Sequence, residues 1–155
     1  MISTSVNSTF TRLKDGSVSY GVDHRNLTPA QIEAKAKEYA IPNNIYSVEN
    51  FTDLSPQSIH LLESLIEKME SKNIKISFFL SPYNPYVYHI FETNSQYREI
   101  KQSEVYYKDL ALKHQIPVMG SFDPQACGMD ETFFYDGMHC NSTGIKKLLS
   151  TYPND

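Results

Sequence analysis

No run of apolar residues in this chain approaches the roughly 18 needed for a helix to cross a bilayer. The longest, Ile76-Ser77-Phe78-Phe79-Leu80, is the size of a strand. The opening residues, MISTSVNSTF, have neither the basic start nor the apolar centre of a signal peptide, so a cytoplasmic location is the default expectation. Cysteine is scarce. Cys127 and Cys140 do not define a disulfide framework and read as two ordinary thiols. Positive charge is in deficit, with 14 Lys and Arg against 18 Asp and Glu and a formal net charge of −4. That balance argues against nucleic acid or an anionic membrane surface as a partner. Internal repeats and low-complexity tracts are missing. So are the spacings of a zinc site. Cys127, Asp136, His139 and Cys140 match no familiar ligand pattern, and no metal is expected.

What remains is an ordinary globular composition, 40% hydrophobic and 21% charged in 155 residues, enough for one domain with a real core. The first 28 residues read as irregular or hairpin-like. Phe10-Thr11-Arg12-Leu13 and Ser17-Val18-Ser19-Tyr20 flank Lys14-Asp15-Gly16, and Asp-Gly is a common tight-turn pair. Thr28-Pro29-Ala30-Gln31 then carries a helix start: Thr28 can cap, Pro29 fits the first helical position and Gln31 can close a capping box. That helix should reach about Ala40 and stop before Pro42.

Ser55-Pro56 repeats the start signal, and Ile59, Leu62, Leu65, Ile66 and Met69 follow at helical spacing through about Lys72. Ile74 to Leu80 is β-rich and ends at Ser81-Pro82-Tyr83-Asn84-Pro85, where two prolines forbid further ladder pairing. A third helix is expected over roughly Ser95 to His114, then a short strand over Ile116–Met119 closed by Gly120-Ser121, and a last helix from near Ser142. Alternating helices and short apolar strands indicate an α/β fold with mainly parallel strands, helices on both faces and the Phe78 strand buried on both sides. Ligands of such sheets sit beyond the carboxyl ends of the strands. Ser81–Pro85 and Gly120–Asp123 both fall there.

The richest chemistry lies late in the chain, in "FFYDGMHCNSTG", residues 133 to 144. A carboxylate that accepts from one imidazole nitrogen fixes the tautomer, leaves the other nitrogen free as a general base and stabilises the imidazolium that forms. Asp136 and His139 are spaced to do this. The spacing alone is weak, because a polar turn can hold both residues for structural reasons. Elsewhere, tyrosines at 83, 86, 88, 106 and 107 read as half-buried packing rather than a sugar platform. His24, His60, His89 and His114 read as surface or cap residues, and Ser121 as a strand-ending serine.

The wider string Asp136-Gly137-Met138-His139-Cys140-Asn141-Ser142-Thr143-Gly144 resembles the final block of the SGNH (GDSL-type) hydrolases, D-G-x-H-P-N-x-x-G, which enters the C-terminal helix. Asp136, Gly137, His139, Asn141 and Gly144 match, and Cys140 stands where proline is common. The resemblance covers roughly residues 53 to 150. It implies a three-layer, flavodoxin-like sheet, incomplete here at its N-terminal side. It also implies His139 as general base, Asp136 as its orienting acid, and hydrolysis or transfer of an ester-linked acyl group, often acetyl on a carbohydrate, without a cofactor. The family's Gly-Asp-Ser nucleophile block and Gly-x-Asn-Asp block are absent. Asp15-Gly16-Ser17 has the letters in another order, inside a turn. Asn84, after a strand, is a candidate substrate-binding amide, although an Asn between two prolines is also a good turn former.

Two functions are therefore expected to compete. One is the acid–base half of an SGNH-like esterase or acyltransferase whose serine is not in this chain. The other is a non-catalytic α/β binding or assembly module that keeps the fold. On either, loss of a mid-sheet strand would leave an unpaired edge, inviting self-association or docking onto an N-terminal half.

Overall fold

The structure, a computed structural model, describes residues 10–16, 18–40, 45, 48, 49 and 51–151, with Tyr39 described for its backbone alone. Ser17 and Pro42, which the sequence places at the second strand's start and past the first long helix, lie outside the described residues.

The chain opens with an antiparallel hairpin of β1 (Phe10–Arg12) and β2 (Val18–Tyr20). Its turn closes by the Gly16 N–H donating to the Leu13 carbonyl at 3.0 Å. Gly16 takes φ +87, the left-handed region that makes Asp-Gly a turn pair. A single helical turn, α1 (Val22–Arg25), follows, and then α2 (Pro29–Ala40). Here the expected capping box forms. The Thr28 N–H donates to Gln31 Oε1 at 2.9 Å, and the Gln31 N–H reaches Thr28 Oγ1 at 3.4 Å. α3 (Pro56–Glu70) starts on Ser55, whose hydroxyl accepts from the Ser58 N–H.

β3 (Phe78–Leu80) pairs in parallel with β4 (Val118–Gly120), Phe78 opposite Val118 and Leu80 opposite Gly120. Between them run α4 (Pro85–Thr93) and α5 (Arg98–Lys113), joined by a 3₁₀ turn over Ser95–Tyr97. α4 departs from expectation. The Asn84-Pro85 pair does not merely end a strand; it begins a helix, because proline suits the first helical position and the Asn84 side chain accepts from the Tyr86 N–H at 3.0 Å. Val87, Tyr88 and Phe91 bury one face of it against Ala36, Ile45, Tyr97 and Ile100. A 3₁₀ turn over Glu131–Phe133 and α6 (Ser142–Leu149) are the last elements among the described residues.

The described residues are thus mixed α/β, with two two-stranded sheets of which one is parallel. Side chains from α3, α5 and the entrances to β3 and β4 make one core: Ile66, Leu110, Ala111 and Ile116, with Ile76 and Phe78 half-buried against them. One expectation fails. The Phe78 strand is not buried on both sides, because Phe79 is 41% exposed. Phe79 points to the sheet face opposite that of Phe78 and Leu80, and among the described residues that face is left partly uncovered. Separately, no described strand pairs with the other edge of β3. Phe79 there borders an apolar groove of about 330 Å³ with Leu62, Phe78, Leu80, Tyr107 and Phe122.

Candidate functional site

Residues 133 to 141 fold back on themselves into a tight hairpin-like loop. The Asn141 N–H donates to the Phe133 carbonyl and the Tyr135 N–H to the His139 carbonyl, both at 2.8 Å. Phe134 and Cys140 form an antiparallel bridge between those two bonds. Phe134 is fully buried among Ile32, Met129 and Leu148, so the loop is seated on core rather than draped over it. Asp136, Gly137 and Met138 form its tip.

Two further residues of the quoted string secure its exit. Asn141 caps α6, its Oδ1 accepting from the N–H groups of Thr143 and Gly144 at 3.0 Å each, while Nδ2 donates to the Thr132 carbonyl at 2.7 Å. Gly144 has no room for a side chain: a Cβ there would stand 2.7 Å from the Phe133 carbonyl oxygen. These two are structural.

At the tip the Asp136 carboxylate organises everything around it. Oδ1 accepts from the N–H groups of Met138 and His139, each at 2.9 Å. Oδ2 lies 2.9 Å from His139 Nδ1. An ionised carboxylate can only accept, so Nδ1 carries a proton, and in the neutral ring Nε2 is left with its lone pair. Among the described residues Nε2 has no hydrogen-bond partner, and the His139 side chain is 46% exposed. Burial pushes the Asp136 carboxyl upward, but the bonds from the His139 ring and the two backbone N–H groups outweigh it and hold it below the usual range. The bond to Asp136 in turn raises His139, against the opposing effect of its partial burial.

These shifts set a pH dependence. His139, raised, contributes stability that is complete below its unfolded value near 6.5 and is lost as pH climbs through the folded value. Asp136, lowered, contributes above its unfolded value near 3.8 and loses that as pH falls through the folded value. Both act together between about 3.8 and 6.5. The difference in urea midpoint between wild type and His139→Ala is expected to be largest inside that window and to shrink above it.

Asn84 is brought to the same place. Its N–H donates to the Gly137 carbonyl at 3.0 Å, tying the carboxyl end of β3 to the loop tip. Its side chain is spent partly on capping α4 and the residue is 1% exposed, yet Nδ2 is buried without a partner among the described residues. Ser121 is elsewhere engaged. Its hydroxyl donates to the buried Glu104 carboxylate, accepts from the Asp123 N–H and makes no bond to His139. Burial lifts both cysteine thiols, Cys140 to about 11, and among the described residues the two sulfurs lie against the Ser121 and Pro82 carbonyls, with no bond to His139. Tyr83, Tyr88, Tyr106 and Tyr107 pack in or against the cores rather than forming a platform. His114 is a cap residue, as expected: it caps the C-terminus of α5, and its ring lies 3.0 Å from the Glu70 carboxylate.

The structure also adds residues that the spacing of the chain does not flag. Tyr20 lays its ring against Tyr135 and His139, and His24, Lys35 and Glu38 join Asp136 around a cavity of about 300 Å³. No local signal marks them, because they stand about a hundred residues before the loop. The fold and site thus define a mixed α/β protein with an Asp–His pair on a buried-rooted loop at a strand's carboxyl end. No family model, curated protein or solved structure matches this chain.

Proposed function

We propose that Asp136 and His139 are the acid–base half of a serine ester hydrolase or acyltransferase of SGNH type, acting on a small acyl ester or an acylated carbohydrate. The observation that carries this reading is the geometry of the pair: Nδ1 held by a carboxylate at 2.9 Å, and Nε2 without a hydrogen-bond partner among the described residues on a half-exposed ring. That is the arrangement a base needs in order to take a proton from an attacking hydroxyl. Asn84, joined to the loop through Gly137, stands where its amide would meet substrate if the α4 cap loosened. The two parallel strands then belong to a larger three-layer sheet. Its missing member is an extended segment that pairs along the open side of β3 and delivers the serine.

A second reading has its own support. No serine, threonine or cysteine among the described residues is bonded to His139, and Ser121 is committed to Glu104. A base without a nucleophile does no acyl transfer, which favours a non-catalytic module that retains the loop.

The reading frame upstream of Met1 separates the two. The hydrolase reading expects an in-frame apolar strand ending in Gly-Asp-Ser. A chain carrying that strand should turn over a small acetyl ester and lose about 10⁴-fold or more of its rate on His139→Ala. The 155-residue chain by itself should show no turnover above background and no labelling by a serine-directed phosphonate. A stop codon directly upstream, together with an inert chain, would leave the module. Turnover by the chain alone that His139→Ala abolishes would instead place the nucleophile within it.

A further inference from the structure

The N-terminal hairpin lies outside the segment that carries the resemblance, yet it meets the Asp–His loop directly. Two strands of three residues form only a marginal structure in water by themselves. Phe10, Leu13 and Val18 of this hairpin are exposed, so they do not anchor it. Tyr20, the last residue of β2, does. Its ring centroid lies 4.9 Å from that of Tyr135, 5.9 Å from that of His139 and 5.6 Å from that of His24.

Tyr135 and His139 are the two residues whose backbone bond closes the loop tip. One aromatic ring therefore spans both ends of the turn that presents the pair. The Tyr20 hydroxyl is raised above its ordinary value, by burial first and then by the nearby Asp136 charge, as expected of a ring facing the carboxylate. His139 needs such a neighbour. A half-exposed imidazole with one side-chain bond can swing out to water, where a competing solvent bond replaces the one to Asp136. A tilted aromatic neighbour narrows that freedom and keeps water from one side of the Asp136–His139 bond.

We propose that Tyr20 is a positioning residue: its ring, packed across Tyr135 and His139, holds the His139 imidazole with Nδ1 toward Asp136 and Nε2 outward. The value of this for chemistry rests on reading His139 as the base, but the geometry can be tested without any reaction. The hairpin is then part of the site, and the Tyr20 ring also contacts His24, which borders the neighbouring cavity.

The test is the imidazole ¹H–¹⁵N spectrum of the full chain, followed through a pH titration for wild type, Tyr20→Phe, Tyr20→Leu and Tyr20→Ala. Wild type should show His139 as a single Nδ1–H tautomer once neutral, titrating above the ordinary 6.5. Tyr20→Phe keeps the ring and should match it. Tyr20→Ala should lose the single-tautomer signature, and its titration should move down toward the ordinary value as the Asp136 bond opens to water. Tyr20→Leu, which preserves apolar bulk to hold the hairpin down but has no ring, should fall on the alanine side. An unchanged tautomer and titration in Tyr20→Ala, or in Tyr20→Leu should the alanine variant unfold, would overturn the proposal. So would a Tyr20→Phe spectrum as altered as that of Tyr20→Ala, because the hydroxyl and not the ring would then be the active group. Ester turnover enters none of these readings, so they stand or fall apart from the assignment of His139 as a base.

Discussion

Truncating Phe134 to alanine is expected to lower the unfolding free energy by about 3–5 kcal/mol, the usual cost of removing a fully enclosed aromatic ring. Phe134 is 0% exposed, closed in by Ile32, Met129 and Leu148, with Phe133 and Cys140 packed at its margin. The consequence is larger than a void. Phe134 is the residue from which the Asp–His loop departs, and its bridge to Cys140 is the loop's base. When the ring is lost, Tyr135 and Asp136 lose the support that sets their direction. The stability change is read from the urea midpoint. The local change is read from the His139 ring resonances, which should broaden under conditions where α5 remains folded. A midpoint within error of wild type would mean that the loop is not rooted in this core.

Gly120→Ala should be comparably damaging for a different reason. Gly120 adopts φ +76, and an added Cβ would stand 2.3 Å from the Leu80 carbonyl oxygen across the parallel pair and 3.5 Å from Leu148. The left-handed conformation costs an L-residue about 1–2 kcal/mol. Forcing extra bulk into packed structure costs about 1–3 kcal/mol more. The obstacle is backbone, not the end of a flexible side chain, so relief requires β3 and β4 to part. Because Leu80 leads into Pro82 and Asn84, the disturbance passes to the bond between Asn84 and Gly137 that ties the strand end to the loop. The expected observation is a fall of about 2–5 kcal/mol by urea titration, with faster amide exchange at Leu80. Gly120→Ala with wild-type stability would show that the strand ends are free to spread.

The two changes reach the site along separate paths. Phe134 works through the hydrophobic seat under the loop, and Gly120 through the backbone of the parallel pair. If both alter the His139 resonances while a substitution at the distant, exposed Leu112 does not, the site depends on those two supports together.

Much of the local structure is legible in the residues themselves, because its causes act over a few positions. Asp15-Gly16 makes the hairpin turn since glycine tolerates the left-handed region. Thr28 and Gln31 start α2 by satisfying each other's orphan donors and acceptors, and Ser55-Pro56 starts α3. The Asp136–His139 bond is local as well, three residues apart on one turn. The same local reasoning misjudged Asn84-Pro85. An asparagine before a proline can end a strand or cap a helix, and only the burial of Val87, Tyr88 and Phe91 against Ala36 and Tyr97 decided for the helix. It also overstated β3. An apolar strand is buried on both faces only where other elements pack on both, and Phe79 stays exposed because its face of the β3–β4 pair is partly uncovered among the described residues.

What the sequence by itself determined was therefore the starts of α2, α3 and α6, the hairpin turn and the acid–imidazole pair, each the product of short-range hydrogen bonding. Tertiary structure alone decided which side chains surround that pair. Tyr20 meets His139 across more than a hundred residues, and Asn84 meets Gly137 across about fifty, by packing of separate elements onto shared cores. Periodicity and capping carry no information about such distances. They record how a segment satisfies its own backbone, whereas the neighbours of His139 were selected by where buried surfaces such as those of Phe134 and Leu148 could come together.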